Sequence, residues 1–223
     1  MKQGKYGAED FKQDANVSRE TLVSLRAYAD CLLEWNARMN LVGRSTVKDL
    51  WHRHMLDSAQ LWRHIPLGAK TLVDLGSGAG FPGLVLAVMG AHRSDFHVHL
   101  IESVGKKAAF LRAAAAAAGV SMTLHNTRIE KVDPFVADVV TARALAPLPK
   151  LIRYGQRFSG PNTLQIYLKG QDVGDELTAA HKIWKMKVGR QPSASDPRAN
   201  VLSVSEVSSV QSGPIKSPSG PQG

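Results

Sequence analysis

"TLVDLGSGAGFPGL", residues Thr71–Leu84, is the stretch that decides the fold. A short apolar run carrying Asp74 gives way to four glycines, Gly76, Gly78, Gly80 and Gly83. Thr71–Leu75 reads as a strand, and Pro82 to Met89 as a helix ended by Gly90. A glycine turn between strand and helix lets a ligand approach bare backbone. The spacing argues against two common ligands. A dinucleotide loop, G-x-G-x-x-G, needs its third glycine at position 81, where Phe81 stands. A triphosphate loop needs Lys-Ser/Thr after the last glycine, and Phe81-Pro82 offers neither.

Outward from this loop, strand and helix patterns alternate. His97–Ile101 reads as a second strand and Lys106–Ala118 as a helix capped by Gly119. Met122–His125 and Ala137–Ala142 read as strands, Leu148–Phe158 as a helix and Thr163–Leu168 as a strand. Val201–Val207 reads as a last edge strand. Alternation of this kind predicts an α/β, Rossmann-like, doubly wound parallel sheet. The polyalanine run at 113–118 reads as a scaffold helix, since alanine has the highest helix propensity. Before the sheet, Ser18 can N-cap a helix whose stripe is Leu22, Leu25, Ala29, Leu32 and Leu33. A second helix is expected over Val47–Trp62. The predicted organisation is a disordered N-terminus (1–17), a helical segment (18–68), a sheet domain (69–208) and a disordered Ser/Pro-rich tail (209–223).

Composition narrows the class. Hydrophobic residues make up 43% and charged residues 21%, ordinary for a globular protein. No apolar run suits a membrane span or a signal peptide, so a cytoplasmic address and no membrane partner are expected. The single cysteine, Cys31, excludes an intramolecular disulfide framework and reads as a buried thiol. The net charge of +9 favours a polyanionic partner, nucleic acid first.

The ligand that fits has an adenosine end, an amino-acid end and no phosphates: S-adenosyl-L-methionine. Asp74 organises the loop and lies near the ammonium. Glu102, ending the next strand, takes the ribose hydroxyls, and Ile129 and Glu130 flank the adenine. In an open α/β sheet, ligands gather at the carboxyl ends of strands. Arg128, Arg143 and Lys169 are therefore expected on one rim. Each alone reads as a solvated charge; together they favour a phosphate-bearing substrate. Lys106 and Lys107 offer a second basic edge.

The residues after the fourth strand limit the chemistry. Amine-methylating enzymes usually carry Asn/Asp-Pro-Pro-aromatic there; this chain has Ala142-Arg143-Ala144-Leu145. No thiol is available for attack on a pyrimidine ring, because Cys31 lies in the N-terminal helix. A ring nitrogen with a free lone pair, such as guanine N7, needs neither device. Catalysis is then alignment and desolvation, with no certain catalytic side chain and Arg143 as the candidate. His52 and His54 have no second liganding pair, so no metal is expected.

Seven motifs in order, "NLVGRST", "HMLDS", "VDLGSGAGFPGL", "IESVGKKAAFLR", "TRIEKV", "VVTARALAPL" and "LKG", resemble the bacterial 16S rRNA (guanine-N7)-methyltransferases, also called glucose-inhibited division protein B. The resemblance spans roughly residues 18–207. It implies a class I methyltransferase with an N-terminal helical extension, acting on one guanine in the decoding-region loop of 16S rRNA or the small ribosomal subunit. Carried over, the cofactor contacts fall on Gly76, Phe81, Ile129, Glu130 and Arg143; fold analogy adds Asp74, Gly78 and Glu102. "HMLDS" (His54, Asp57, Ser58) reads as a helix covering the cofactor. Two alternatives stay open: an inactive cofactor-binding, ribosome-associated factor, and a class I methyltransferase acting on another RNA.

Overall fold

The computed structural model describes residues 6–210. The expectations for residues 1–5 and 211–223 lie outside them. Seven strands form one sheet in the order β3-β2-β1-β4-β5-β7-β6. They are β1 (Thr71–Leu75), β2 (His97–Ile101), β3 (Thr123–His125), β4 (Ala137–Arg143), β5 (Ser159–Lys169), β6 (Trp184–Pro192) and β7 (Asn200–Ser209). The first five pair in parallel. The last two pair antiparallel, so the sheet is mixed rather than wholly parallel. β1 is central, and after Thr71 each of its residues is buried, as expected for a strand covered on both faces.

Helices cover the two faces. They are α1 (Ala8–Asp14), α2 (Arg19–Asn36), α3 (Arg44–Val47), α4 (Asp57–Ala59), α5 (Gly83–Gly90), α6 (Gly105–Ala118), α7 (Leu148–Gly155) and α8 (Val173–His181). α5 is apolar all round and wholly buried. α2 is N-capped by Ser18, whose side chain accepts from the Thr21 amide at 3.1 Å. Its buried stripe is Leu22, Leu25, Tyr28, Ala29 and Leu32. Leu33 falls on the stripe's edge and is 45% exposed. Cys31 is half-buried rather than buried. The alanine-rich α6 does serve as scaffold: Phe110 packs edge-on against Trp35 of α2, and Gly119 closes it at φ 66°.

Four expectations need correction. Residues 8–14 were expected to lack order, yet they form α1, held by a fully buried Phe11 whose ring packs tilted against Trp51. One large apolar side chain supplies an anchor that no periodicity announces. The helix expected over 47–62 is broken into α3, a π-helical turn (Trp51–Leu56), α4 and a 3₁₀ turn (Gln60–His64). β7 is an interior strand, not an edge; the edge is β6, and α8 and β6 were both missed. β6 does carry a strand signal, Trp184, Met186 and Val188 alternating with the exposed Lys185 and Lys187, and it was passed over. Among the described residues no helix is long and apolar enough to cross a membrane.

Candidate active site

The loop after β1 is wound through three positive φ values: Gly76 at 66°, Gly78 at 56° and Gly80 at 90°. Gly80 is also sterically required, and Gly76 is crowded by a side chain that could turn aside. A Cβ on Gly76 would lie 2.6 Å from Leu145 Cδ1, and one on Gly80 would lie 2.6 Å from the Tyr28 hydroxyl oxygen. Gly78 differs, because the nearest atom to its Cβ position is the Gly76 carbonyl oxygen at 3.7 Å. The loop closes on itself through Gly80 N–H to the Ser77 carbonyl (2.7 Å) and is tied to β2 through Ser77 N–H to the Ile101 carbonyl (3.0 Å). Tyr28, fully buried in α2, donates its hydroxyl to the Ala79 carbonyl. The N-terminal helices thus grip the loop directly.

Beside the loop lies a cleft of about 330 Å³. Gly76, Gly78, Glu102, Ile129 and Glu130 line it, as the sequence suggested, together with Arg128 and Lys107. Glu102 is 6% exposed. Its Oε2 accepts from Gly78 N–H at 2.9 Å and its Oε1 from Val104 N–H at 2.7 Å. Each oxygen keeps a second lone pair for a ribose hydroxyl. Glu130 accepts from the Tyr154 hydroxyl at 2.9 Å, and its own backbone amide and this bond hold its carboxyl below the usual range. Ile129, 7% exposed, and Leu145 supply apolar walls. Bare backbone, a braced carboxylate and apolar walls fit the two ends of S-adenosylmethionine.

Other expected contacts are not in the cleft wall. Asp74 is fully buried beneath the loop. Its Oδ1 accepts from the Thr141 hydroxyl at 2.7 Å. Its Oδ2 lies where a Cβ on Gly83 would approach to 2.7 Å, and has no well-formed hydrogen bond. Burial pushes this carboxyl up to about 6, against the pull of its hydrogen bonds. Asp74 therefore organises the loop but does not face a ligand ammonium. Phe81 packs between His54 (5.1 Å, stacked) and Tyr28 (5.7 Å), outside the cleft lining. Lys106 is exposed and does not line the cleft either.

Arg143 and Lys169 occupy a second, adjoining cavity of about 260 Å³ with Arg53, Asp57, Ser195 and Asp196. The three rim cations therefore do not converge: Arg128 faces the cleft, the other two this cavity. Lys169 is not a free cation, since it pairs with Glu176 at 2.7 Å and donates to the Ala146 carbonyl at 3.1 Å. Arg143 is anchored on the π-helical turn. Its Nη2 donates to the Arg53 carbonyl (3.1 Å) and to His54 Nδ1 (2.9 Å), its Nη1 lies 3.1 Å from Asp57 Oδ2, and its guanidinium sits 5.8 Å from the Phe81 ring centroid. His54 accepts this bond as a neutral ring; burial, then the Arg143 charge, holds its pKa down at about 3. Asp57 Oδ1 accepts from Gln60 (2.9 Å), Ser193 (2.9 Å) and Ser195 (2.8 Å). "HMLDS" is thus a hub for Arg143.

Sequence reasoning missed Tyr28, Leu145, Tyr154 and the Ser193–Ser195 turn. Only Tyr28, an aromatic at the edge of an apolar stripe, left a readable trace. It also missed Ala144, which lines both cleft and cavity and has φ 50°, rare for a residue with a Cβ.

The sheet, the glycine loop and the acid ending β2 define a class I S-adenosylmethionine-dependent methyltransferase. The fold is shared with an O-methyltransferase from Bacillus cereus solved with SAH (TM-score 0.55, 14% identity, covering 80% of this chain and 90% of that one). It is shared too with a SAM-dependent methyltransferase from Aquifex aeolicus (TM-score 0.55, 14% identity, 79% and 97%). The model of the GidB family, rRNA small subunit methyltransferase G, matches residues 21–200, and the chain belongs to that family. Its relatives include the ribosomal RNA small subunit methyltransferase G of Paramagnetospirillum magneticum, 54% identical and covering 91% of this chain and 97% of the relative. The protein of the same name from Rhodospirillum centenum is 48% identical, covering 91% and 92%.

Proposed function

We propose that this chain methylates N7 of a guanine in the decoding-region loop of 16S rRNA, as free RNA or in the small subunit, in the cytoplasm. The observation that carries the reading is the family match over residues 21–200, with relatives named for small-subunit rRNA methylation. S-adenosylmethionine supplies a methyl group on a positively charged sulfur, which keeps the bonding pair when N7 takes the methyl. Glu102 would hold the ribose, Ile129 and Leu145 would enclose the adenine, and the Gly76–Gly78 backbone would face the amino-acid end. Ala144 separates this cleft from the cavity holding Arg53 and Arg143, which suits an acceptor base there. N7 carries no proton, so no general base is required. That agrees with Ala142–Leu145 standing where an amine-polarising stretch would be, and with the only thiol lying in α2. The residues act by fixing two reactants in line and excluding water.

The test uses small-subunit RNA from cells lacking the gene, incubated with purified protein and S-adenosylmethionine. N7-methylguanine is cationic and labile to borohydride and aniline. Primer extension on treated RNA should stop at one guanine. Absence of transfer to any RNA would refute the reading, and transfer to a different RNA would replace the substrate.

A further inference from the structure

The cavity beside the cleft contains two carboxylates, each facing four donors, and they differ in how firmly those donors are fixed. Asp57 is internally committed: its Oδ1 takes three side-chain donors and its Oδ2 faces Arg143. Asp196 is reached by Arg53, which lines the cavity, and by Arg198, which is exposed. Arg53 Nη1 lies 3.1 Å from its Oδ2. Arg198 donates from its backbone N–H (3.0 Å), Nε (3.2 Å) and Nη2 (3.1 Å). The Arg198 side chain is 71% exposed and free to yield. Both arginines keep Asp196 ionised.

The cavity, at about 260 Å³, is below the roughly 300–1,000 Å³ of sites for drug-sized ligands and suits one flat base. Ala144 lines it and the cleft alike, so a base lodged there lies one residue from the cofactor side. Guanine presents acceptors N7 and O6 on one edge, and arginine commonly reads that pair. A guanine that must receive a methyl at N7 cannot give that nitrogen to an arginine. Recognition then falls to the opposite edge, where N1–H and N2–H stand side by side. Two adjacent donors match the two oxygens of a carboxylate.

We propose that Asp196 reads N1–H and N2–H of the acceptor guanine, and that this contact tightens as the base becomes cationic. It rests on the guanine-N7 reading above. N7's lone pair forms the new bond, no proton leaves N7, and the base gains a positive charge. That charge makes N1–H more acidic, so its bond to a fixed carboxylate strengthens between ground state and transition state. An interaction stronger in the transition state raises turnover rather than ground-state affinity. Arg53 holds the carboxylate in place, and the exposed Arg198 side chain gives way to the incoming edge.

The test compares the full-length wild type with Asp196→Asn. S-adenosylmethionine affinity and thermal unfolding are measured first; affinity should be unchanged, since the residue is outside the cleft, and Tm should fall by no more than a few degrees, since the pairs it loses are with partly exposed arginines. On small subunits from cells lacking the gene, kcat should fall about tenfold to a hundredfold, as for loss of a hydrogen bond to a charged group, while KM for RNA stays within about threefold. Competition with nucleotides supplies a readout independent of turnover. Wild type should bind 7-methylguanosine monophosphate better than guanosine monophosphate, and better than 7-methylinosine monophosphate, which lacks the 2-amino group. Asp196→Asn should erase both preferences. Unchanged kcat with both preferences intact in the variant would overturn the assignment. So would a wild type indifferent to the 2-amino group, a result that does not depend on the variant folding. If the preferences hold while no RNA is methylated, the RNA reading falls and base recognition by Asp196 stands.

Discussion

Replacing Gly78 with Ala should separate cofactor binding from folding. The position has φ 56°, and its Cβ would meet no protein atom nearer than the Gly76 carbonyl oxygen at 3.7 Å. The folding cost is therefore the left-handed conformation alone, about 1–2 kcal/mol. For a domain of this size each kcal/mol lowers Tm by roughly 2–4 °C, so a loss of about 2–8 °C is expected. Gly78 also lines the cleft, and its amide is the donor to Glu102 Oε2. In the proposed placement the added methyl takes space the ligand needs, and any shift of the amide loosens the carboxylate proposed to hold the ribose. Affinity for S-adenosylmethionine should drop more than about tenfold, equivalent to about 1.4 kcal/mol. Gly76→Ala is the comparison. There the Cβ would come within 2.6 Å of Leu145 Cδ1. Leu145 must turn aside, a small addition to the same conformational cost, so Tm should fall only slightly further. Calorimetric titration and thermal denaturation of both variants decide the matter. A folded Gly78→Ala protein with wild-type cofactor affinity would refute the placement of the ligand against this loop.

Three further outcomes follow from the same geometry. Glu102→Gln keeps the shape but leaves one backbone amide, Gly78 or Val104, facing an NH₂ group; cofactor affinity should fall by about 1.5–3 kcal/mol, measured by calorimetry. Tyr28→Phe strands the buried Ala79 carbonyl, which should cost about 1–3 kcal/mol in denaturant unfolding and weaken cofactor binding with it. Asp74, its carboxyl pushed up to about 6 by burial, binds its proton more tightly folded than unfolded, so its charge subtracts stability above pH 6 and that loss is relieved between about pH 6 and 4. Asp74→Asn should remove this rise on acidification, read from unfolding curves across that window, whereas an unchanged pH profile would show that the carboxyl is not the titrating group.

How much could be read beforehand depended on distance along the chain. β1, its glycine turn and the buried helix α5 are contiguous, so a few residues of sequence carried their own geometry. Glu102, Ile129 and Glu130 sit at the ends of their strands or just past them, and the parallel topology brings them to the loop without further information. β6 and α8 left weaker traces. Each shows one covered face; in β6 that face is three apolar residues, Trp184, Met186 and Val188, alternating with lysines, a short run that is easily passed over. α1 buries one large side chain, Phe11, and shows no periodic stripe. The hub around Arg143 was illegible for a different reason: Asp57 meets Ser193 across 136 positions and Ser195 across 138. No local pattern encodes such a contact.

Arg143 shows how the two halves of the site are joined. The family resemblance put it beside the cofactor, while the rim reading gave it to the substrate side, and the backbone places it close to the cofactor cleft, at the end of β4. The side chain goes the other way because the π-helical turn offers it the Arg53 carbonyl, the His54 ring and Asp57 together. Its neighbour Leu145 must still reach back over Gly76 and wall the cleft. A chain that sends residue 143 to one side and residue 145 to the other has to reverse between them, and Ala144 does so at φ 50°. Held there by both neighbours, the strained residue becomes the partition between cleft and cavity. The N-terminal helices thereby act on both compartments at once, through Tyr28 on the glycine loop and through Asp57 on Arg143. A helical extension that grips both is part of the active site, not an appendage to the sheet.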